Sequence, residues 1–215
     1  MKNKATAIIT TTMGILLAFA GFEHGLFEAL QGYKPTGSNF ISAIGKEMQW
    51  WVHGSEDAFT LIPNYLITGI CAMCVSIMIM IWSIFCLNKR NSTTIFLLLF
   101  ILLVLVGGGI GFIPFFIVTW AYATRMNKPL NRWKRWLKPK MRNNIAFLRP
   151  YALAATAICW LIAIEIAIFG YVPGVNNPDF KLGICWSFLF IALLLLNVSY
   201  ISGFAYDIDK QISKE

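Results

Sequence analysis

The chain has 215 residues, of which 58% are hydrophobic and only 13% are charged, with a mean hydropathy of +0.65. A soluble domain carries about 25% charged residues, so this composition excludes an ordinary soluble protein. Long unbroken apolar runs exclude barrel strands and predict one all-α membrane domain over residues 1–215. The formal net charge of +8 comes almost wholly from one loop. It therefore indicates a membrane face rather than a nucleic-acid partner.

The first apolar run covers residues 5–30 and follows Lys2 and Lys4. A basic start, an apolar stretch and the Ala-Phe-Ala sequence at 18–20 also resemble a cleavable secretory signal. We favour a retained helix, because the helical pattern continues without a break through residues 21–28. Small residues also fall on one helical face, as close helix packing in lipid requires: Gly14, Ala18, Gly21 and Gly25.

The following segment, residues 31–59, is polar with an aromatic middle and is predicted to be an outer loop. Apolar side chains recur there at helical spacing, and Trp50 and Trp51 suit the headgroup region of a bilayer. We therefore predict an amphipathic helix over about residues 38–52 that lies on the membrane surface.

The second predicted span covers residues 60–87. The next apolar run, residues 92–124, would reach about 50 Å as one straight helix, against about 30 Å of hydrocarbon. Glycines and a proline interrupt this run at residues 107–114. We therefore predict a tight hairpin of two short spans, residues 92–106 and 112–124.

Residues 125–149 carry nine Lys or Arg and no Asp or Glu. Such loops are retained in the cytoplasm, so this segment fixes the orientation of the protein. Two further spans follow, residues 147–172 and 182–206, and residues 207–215 are predicted to form a short polar tail.

Six spans with both termini in the cytoplasm leave 15 of the 18 Lys and Arg residues on the inner face of the cell membrane. A five-span arrangement with the N-terminus outside leaves 13 of them inside and requires one overlong, broken helix. We favour six spans, and five remain the alternative.

Within the basic loop, Leu130, Trp133, Trp136 and Leu137 share a helical face. This pattern predicts a second surface helix, although a loop that only sets topology is equally compatible with it. The basic side chains around that face are expected to contact anionic lipid headgroups: Arg132, Lys134, Arg135 and Lys138.

Polar residues collect on the outer side of this topology. His24 and Glu28 lie one turn apart on the face that carries the small residues. Glu165 is an intramembrane carboxyl, which by default marks a pathway, a ligand site or a polar partner. We expect an outward-facing pocket covered by residues 53–57 and lined by Glu23, His24, Glu28, Glu165 and Asn64. Alternatively, these groups bond to loop backbone and to a neighbouring helix.

Imidazoles and carboxylates together can also hold a divalent transition metal. The candidate ligands are His24, Glu28, His53, Glu56 and Asp57. A histidine can instead relay protons near neutral pH. The spacing of these residues matches no recognised metalloenzyme signature, so the metal site is the less specific interpretation.

The stretch Gly-Phe-Glu-His-Gly-Leu-Phe-Glu-Ala-Leu-Gln-Gly at residues 21–32, with Ile-Pro-Asn at 62–64, resembles segments of small, uncharacterised bacterial multi-span membrane proteins. The resemblance covers about the first third of the chain. It implies an integral membrane protein and carries over no activity.

Three functional hypotheses follow. The first is binding or translocation of a small solute, cation or proton through the outward-facing pocket. The second is a membrane-embedded, metal-dependent enzyme acting on a lipid or quinone. The third is a non-catalytic accessory subunit that docks a membrane protein or a second copy of the chain. We place the first hypothesis ahead of the enzyme, because no catalytic arrangement can be argued from the sequence. The sequence does not choose between the first and the third, because a transporter and an accessory subunit present the same hydropathy.

Overall fold

The computed structural model describes residues 3–89 and 91–213, and most of this part of the chain is helical. Its α-helices are α1 (Lys4–Leu30), α2 (Tyr65–Ile81), α3 (Ser92–Leu105), α4 (Ile113–Ala123), α5 (Asn131–Trp136), α6 (Pro139–Ala146), α7 (Arg149–Phe169) and α8 (Pro178–Ile212). A short antiparallel pair of strands, β1 (Phe40–Ser42) and β2 (Asp57–Phe59), lies between α1 and α2. The all-α class is therefore confirmed for the bulk of the described chain.

Four described helices are long and apolar enough to cross a membrane: α1, α2 with its π-helical extension Trp82–Cys86, α7 and α8. Helices α3 and α4 lie where the two short spans are predicted, but they have only 14 and 11 residues. A membrane crossing takes about 20 residues. Their length alone therefore leaves the six-span arrangement a prediction.

Helix α1 supplies the centre of the bundle. It packs mainly against α2 and also contacts α4 and α8. The predicted small-residue face is confirmed, since all four of its members are buried. Gly25 meets Gly69 of α2 so closely that a β-carbon on Gly25 would lie 2.6 Å from the Gly69 carbonyl oxygen. Ile9, Met13 and Leu17 of this helix belong to the hydrophobic core of the bundle.

The start of α1 and the end of α8 meet the basic loop, and we call this region the basic end. The backbone N–H of Asn3 donates to the carbonyl of Met126, and Asn3 Nδ2 donates to the carbonyls of Arg125 and Lys128. Gln211 Nε2 in turn donates to Asn3 Oδ1. Both ends of the described chain therefore lie on one face with the basic residues.

Helices α3 and α4 run between this basic end and the opposite one. The Ser92 hydroxyl, at the start of α3, donates to the carbonyl of Leu87. At the other end of α3 the carbonyl of Leu105 accepts from Leu61, just beyond β2. Helix α4 begins beside His24, on which Phe112 packs edge-on. It ends next to Met126 at the basic end, so the predicted break between the two helices is confirmed.

The predicted surface helix at residues 38–52 is wrong. The segment forms β1, a single 3-10 turn at Lys46–Met48 and irregular turns. The N–H groups of Ala43 and Ile44 donate to the carbonyls of Glu56 and Ser55. Pairing with this later segment satisfies the backbone, and the buried Ile41 and Ile44 face the protein instead of lipid. A short-range apolar spacing cannot report such a distant partner.

Three other boundaries differ from the predictions. Helix α2 starts at Tyr65 because the side chain of Asn64 caps it, accepting from the Ile67 N–H at 3.2 Å. Helix α8 continues to Ile212, so the predicted polar tail is largely helical. The second surface helix is reduced to the six residues of α5, because the flanking Leu130 and Leu137 are buried against α8.

Candidate ligand pocket at the acidic end

The end of the bundle opposite the basic end carries most of the carboxylates, and we call it the acidic end. The last two turns of α1 present Glu23, His24 and Glu28 there. The loop before β2 adds Glu56, whose backbone has the unusual φ of +50°. Two contacts hold this loop in place: Trp51 Nε1 donates to the Ala167 carbonyl of α7, and His53 lies 3.0 Å from Asp179 at the start of α8.

His24 is buried, and its partner is Glu56. Nε2 of His24 lies 3.1 Å from Oε2 of Glu56, while Nδ1 has no partner within the described residues. The exposed fractions are 6% for the His24 side chain and 23% for that of Glu56, so solvent still reaches part of the carboxylate. The helical spacing predicts Glu28 as the neighbour of His24, but the loop brings Glu56 to the imidazole instead.

Glu28 is fully buried, at 0% exposure, and neither of its carboxyl oxygens has a hydrogen-bond partner in the described chain. A buried polar group without a partner is rare, and a buried unpaired charge is costly. Neither oxygen is bonded to the backbone of the outer loop. This is not the loop-bonded arrangement that the sequence offers as the alternative.

The turn between α3 and α4 covers both side chains. A β-carbon on Gly107 would lie 2.5 Å from Oε1 of Glu28, and one on Gly109 would lie 2.8 Å from Nε2 of His24. Both glycines also have positive φ, of +100° and +84°. The glycine cluster is thus required by backbone conformation and by close approach to the polar residues.

A small cavity of about 20 Å³ lies beside this group and is lined by Glu23, His24 and Glu56. One oxygen of Glu23 is also buried without a partner. A cavity needs roughly 10–15 Å³ to hold one water molecule. The space therefore fits a single water molecule or a small ion between two carboxyls and an imidazole.

A larger cavity of about 410 Å³ opens next to the small one, and Glu56 and Phe112 line both. Its charged lining groups are the carboxylates Glu56 and Asp57, with the imidazole of His53 near the mouth, and its lining contains no Lys or Arg. Trp51 and Trp186 contribute aromatic walls. The volume falls within the range of small-molecule sites.

Two predicted pocket residues lie elsewhere. Glu165 is on the exposed face of α7 and lines neither cavity, so its predicted convergence with His24 and Glu28 is wrong. Helix α7 is apolar on all sides, and its sequence therefore does not indicate which face is buried. Asn64 is the cap of α2 and does not line the pocket.

The predicted metal ligands are also separated. His24 pairs with Glu56, His53 pairs with Asp179, and Asp57 is exposed in β2. Within residues 3–89 and 91–213, no group of three or more His, Cys, Asp or Glu side chains is placed to hold a metal ion. The five-residue transition-metal site is therefore not assembled, because His24 on α1 and His53 in the outer loop are held by different partners.

Sequence reasoning missed several residues of the site. Trp51, Phe112 and Trp186 line the large cavity, and Asp179 holds His53. In the sequence, Trp50 and Trp51 fit interfacial anchors, which is the commonest role of tryptophan near the end of a span. At the basic end, the four predicted lipid-contacting side chains are exposed: Arg132, Lys134, Arg135 and Lys138. Their contact with lipid stays a prediction.

No protein-family model, curated protein or solved structure matches the chain.

Proposed function

We propose that the protein is a six-span membrane protein that binds a small organic cation at its outward-facing acidic end. The observation that carries this proposal is the lining of the 410 Å³ cavity, which combines two carboxylates with tryptophan walls. Carboxylates supply the counter-charge for a cation. Aromatic faces add an attraction of about 0.5–2 kcal/mol for a cation within about 6 Å of the ring.

Glu56 is the principal counter-charge in this proposal. Its side chain is 23% exposed, whereas that of Asp179, which holds His53, is 87% exposed and screened by water. Glu56 also contacts His24, which belongs to the buried group on α1. A cation that reaches Glu56 from the large cavity therefore competes with the imidazole for the same carboxylate.

The six-span arrangement is supported by the contacts of α3 and α4 with opposite ends of the bundle. An even number of crossings agrees with the position of both ends of the described chain beside the basic loop. The basic end then faces the cytoplasm, as the distribution of Lys and Arg predicts. The acidic end and its cavity face outward in this orientation.

Translocation, as distinct from binding, requires a group that changes its proton or cation occupancy inside the bundle. Glu28 fits that role because it is buried, unpartnered and one helical turn from His24. Glu28 lines neither cavity, so we propose that His24, which lines the small cavity, passes a proton between that cavity and Glu28.

Tryptophan fluorescence of the detergent-purified protein tests the binding step with tetraethylammonium as the probe. We expect a saturable change in the wild type that is weakened about tenfold or more in Glu56→Gln. Tetraethylammonium has no N–H to donate, so it depends on Coulomb attraction to the carboxylate, on the order of 1–4 kcal/mol at about 4 Å. Glu47→Gln, at an exposed position, is the matched control. An equal response to sodium chloride, or unchanged affinity in Glu56→Gln, would contradict an organic-cation site.

A second candidate function, an accessory subunit, is favoured by Glu165. This carboxyl is exposed on α7 in the middle of an apolar helix. A carboxyl that faces lipid within a span costs several kcal/mol. A polar group from a neighbouring membrane protein, or from a second copy of the chain, would remove that cost.

Cysteine substitution tests this second candidate in native membranes. Cross-linking of Leu161→Cys, one turn from Glu165, is expected to trap a partner or a dimer if the accessory role is correct. Leu194→Cys, on the exposed face of α8, is the control. Absence of any cross-linked product from Leu161→Cys, with labelling showing the thiol to be reactive, would exclude a partner on this face.

A further inference from the structure

Another cavity, at the basic end, has no part in the proposed cation site. It has a volume of about 300 Å³ and lies between the end of α4 and α5. Tyr122, Arg125, Arg132, Trp133 and Trp136 supply its polar and aromatic lining. Leu130 closes its floor and is buried against α8.

The charged groups of this cavity are hydrogen-bond donors. Arg125 and Arg132 each carry five N–H donors, and the two lining tryptophans each add one indole N–H. The lining contains no Asp or Glu, and within the described chain neither arginine forms an ion pair. Guanidinium groups in such a setting match the oxygens of a phosphate, which they bind with paired hydrogen bonds.

Ring contacts and a hydrogen bond fix the positions of two aromatic side chains in the cavity wall. Trp133 is held at 4.9 Å from the ring of Phe204 and lies 6.3 Å from the ring of Tyr122. The Tyr122 hydroxyl is itself fixed, donating to Asn197 Oδ1 at 3.0 Å. Trp136, in contrast, is 73% exposed at the rim. An exposed tryptophan beside basic residues is typical of the headgroup layer of a membrane.

We infer that this cavity binds one anionic phospholipid, with the phosphate between Arg125 and Arg132 and the acyl chains along α4. The apolar side chains on the outer face of α4, such as Ile117, continue from the cavity toward the bundle centre. This continuity selects a lipid over a free phosphate ion, which would need no apolar extension. Arg125 is a residue that the surface-helix prediction did not include.

The basic residues of this loop fall into two groups, those that line the cavity and those that do not. All four basic residues of the predicted surface helix are exposed, but only Arg132 lines the cavity, whereas Lys134, Arg135 and Lys138 line no part of it. The first kind should hold one lipid in a defined place. The second kind should attract the anionic surface without selecting a particular molecule.

Native mass spectrometry of the full chain tests the inference directly. Detergent-purified protein is titrated with phosphatidylglycerol, and we expect one tightly retained molecule in the wild type. The double variant R125Q/R132Q should bind it about tenfold or more weakly, since two charge-assisted hydrogen-bonding groups are lost. The control K134Q/R135Q removes the same charge from the same loop and should retain the wild-type affinity.

Three further results decide the matter. Phosphatidylcholine should bind with lower affinity, and inorganic phosphate at millimolar concentration should not displace the retained lipid. Equal loss of binding in both double variants would show a diffuse electrostatic surface and overturn the inference. Displacement by inorganic phosphate would overturn it in favour of a phosphate-ion site.

Circular dichroism of R125Q/R132Q must match the wild type, and Trp136→Phe offers a second variant that leaves both charges in place.

Discussion

Glu56 Oε2 lies 3.1 Å from Nε2 of His24, so a loop residue that precedes β2 reaches back to a buried imidazole on α1. The pair stands where two cavities of very different size adjoin, and Glu56 lines both. Glu23 and Glu28, on the same helix as His24, also have buried carboxyl oxygens without partners in the described chain. A polar group of this kind inside an apolar bundle is costly to maintain, which favours a functional role for it.

Replacing Glu28 by methionine should stabilise the protein. The substitution removes two unpartnered oxygens from a fully buried position while keeping a similar volume. Apolar replacement of such a group is expected to raise the free energy of unfolding by about 1 kcal/mol or more. Thermal unfolding in detergent measures the change, with Glu47→Met at an exposed position as the control. A large loss of stability in Glu28→Met would show that the carboxyl has a structural partner.

The turn over the polar group offers a matched pair of glycine substitutions. Gly109→Ala places a β-carbon 2.8 Å from the His24 ring at a positive φ, so we expect destabilisation by about 2 kcal/mol or more. Gly111→Ala meets no atom within 4 Å and should change stability by less than about 0.5 kcal/mol. Equal melting temperatures for both variants would contradict the close packing of this turn on His24.

Asp207 is expected to be a stabilising residue although it lies in the predicted polar tail. Its carboxylate accepts from the N–H groups of Ala5 and Thr6 at 2.9 and 3.0 Å, and from the Thr6 hydroxyl. It thus caps the positive end of α1 from another helix. Asp207→Ala should lower the free energy of unfolding by about 1–2 kcal/mol, and Asp207→Asn should lower it less. Chemical denaturation that shows no difference between these variants and the wild type would argue against the cap.

The structure also explains which features the sequence could predict. Burial of the small-residue face of α1 was predictable, because helical periodicity alone places Gly14, Ala18, Gly21 and Gly25 together. The break between α3 and α4 was predictable from its glycines. These inferences depend only on local spacing, which the chain preserves whatever surrounds it.

The remaining features depend on distant partners. The pairing of β1 with β2 overrides the helical spacing of residues 38–52, and no local pattern reports it. The burial of His24 was expected from its helical face, but its contact with Glu56 arises only when the outer loop folds back. Glu165 could not be assigned to a face, since α7 is apolar around its whole circumference. The large cavity was not predictable from tryptophan positions, because it forms only where the outer loop packs against α7 and α8.

Cysteine labelling in intact cells tests the six-span arrangement. In a variant whose five native cysteines are replaced by alanine, Gly111→Cys lies at the acidic end and Asn127→Cys at the basic end, both at exposed positions. A membrane-impermeant maleimide should label Gly111→Cys from outside. It should label Asn127→Cys only after permeabilisation. Absence of external labelling at Gly111→Cys would favour the five-span arrangement, in which residues 107–111 lie within the membrane.

The central claim is that the acidic end binds an organic cation through Glu56, and equilibrium dialysis with radiolabelled tetraethylammonium tests it most directly. We predict about one equivalent of cation bound per chain in the wild type and in Glu47→Gln, and at least tenfold weaker binding in Glu56→Gln. All three proteins must first show the same melting temperature within about 2 °C, so that a loss of binding reports the site rather than the fold. Saturable binding that is unchanged in Glu56→Gln, or no binding by the wild type, would contradict the account.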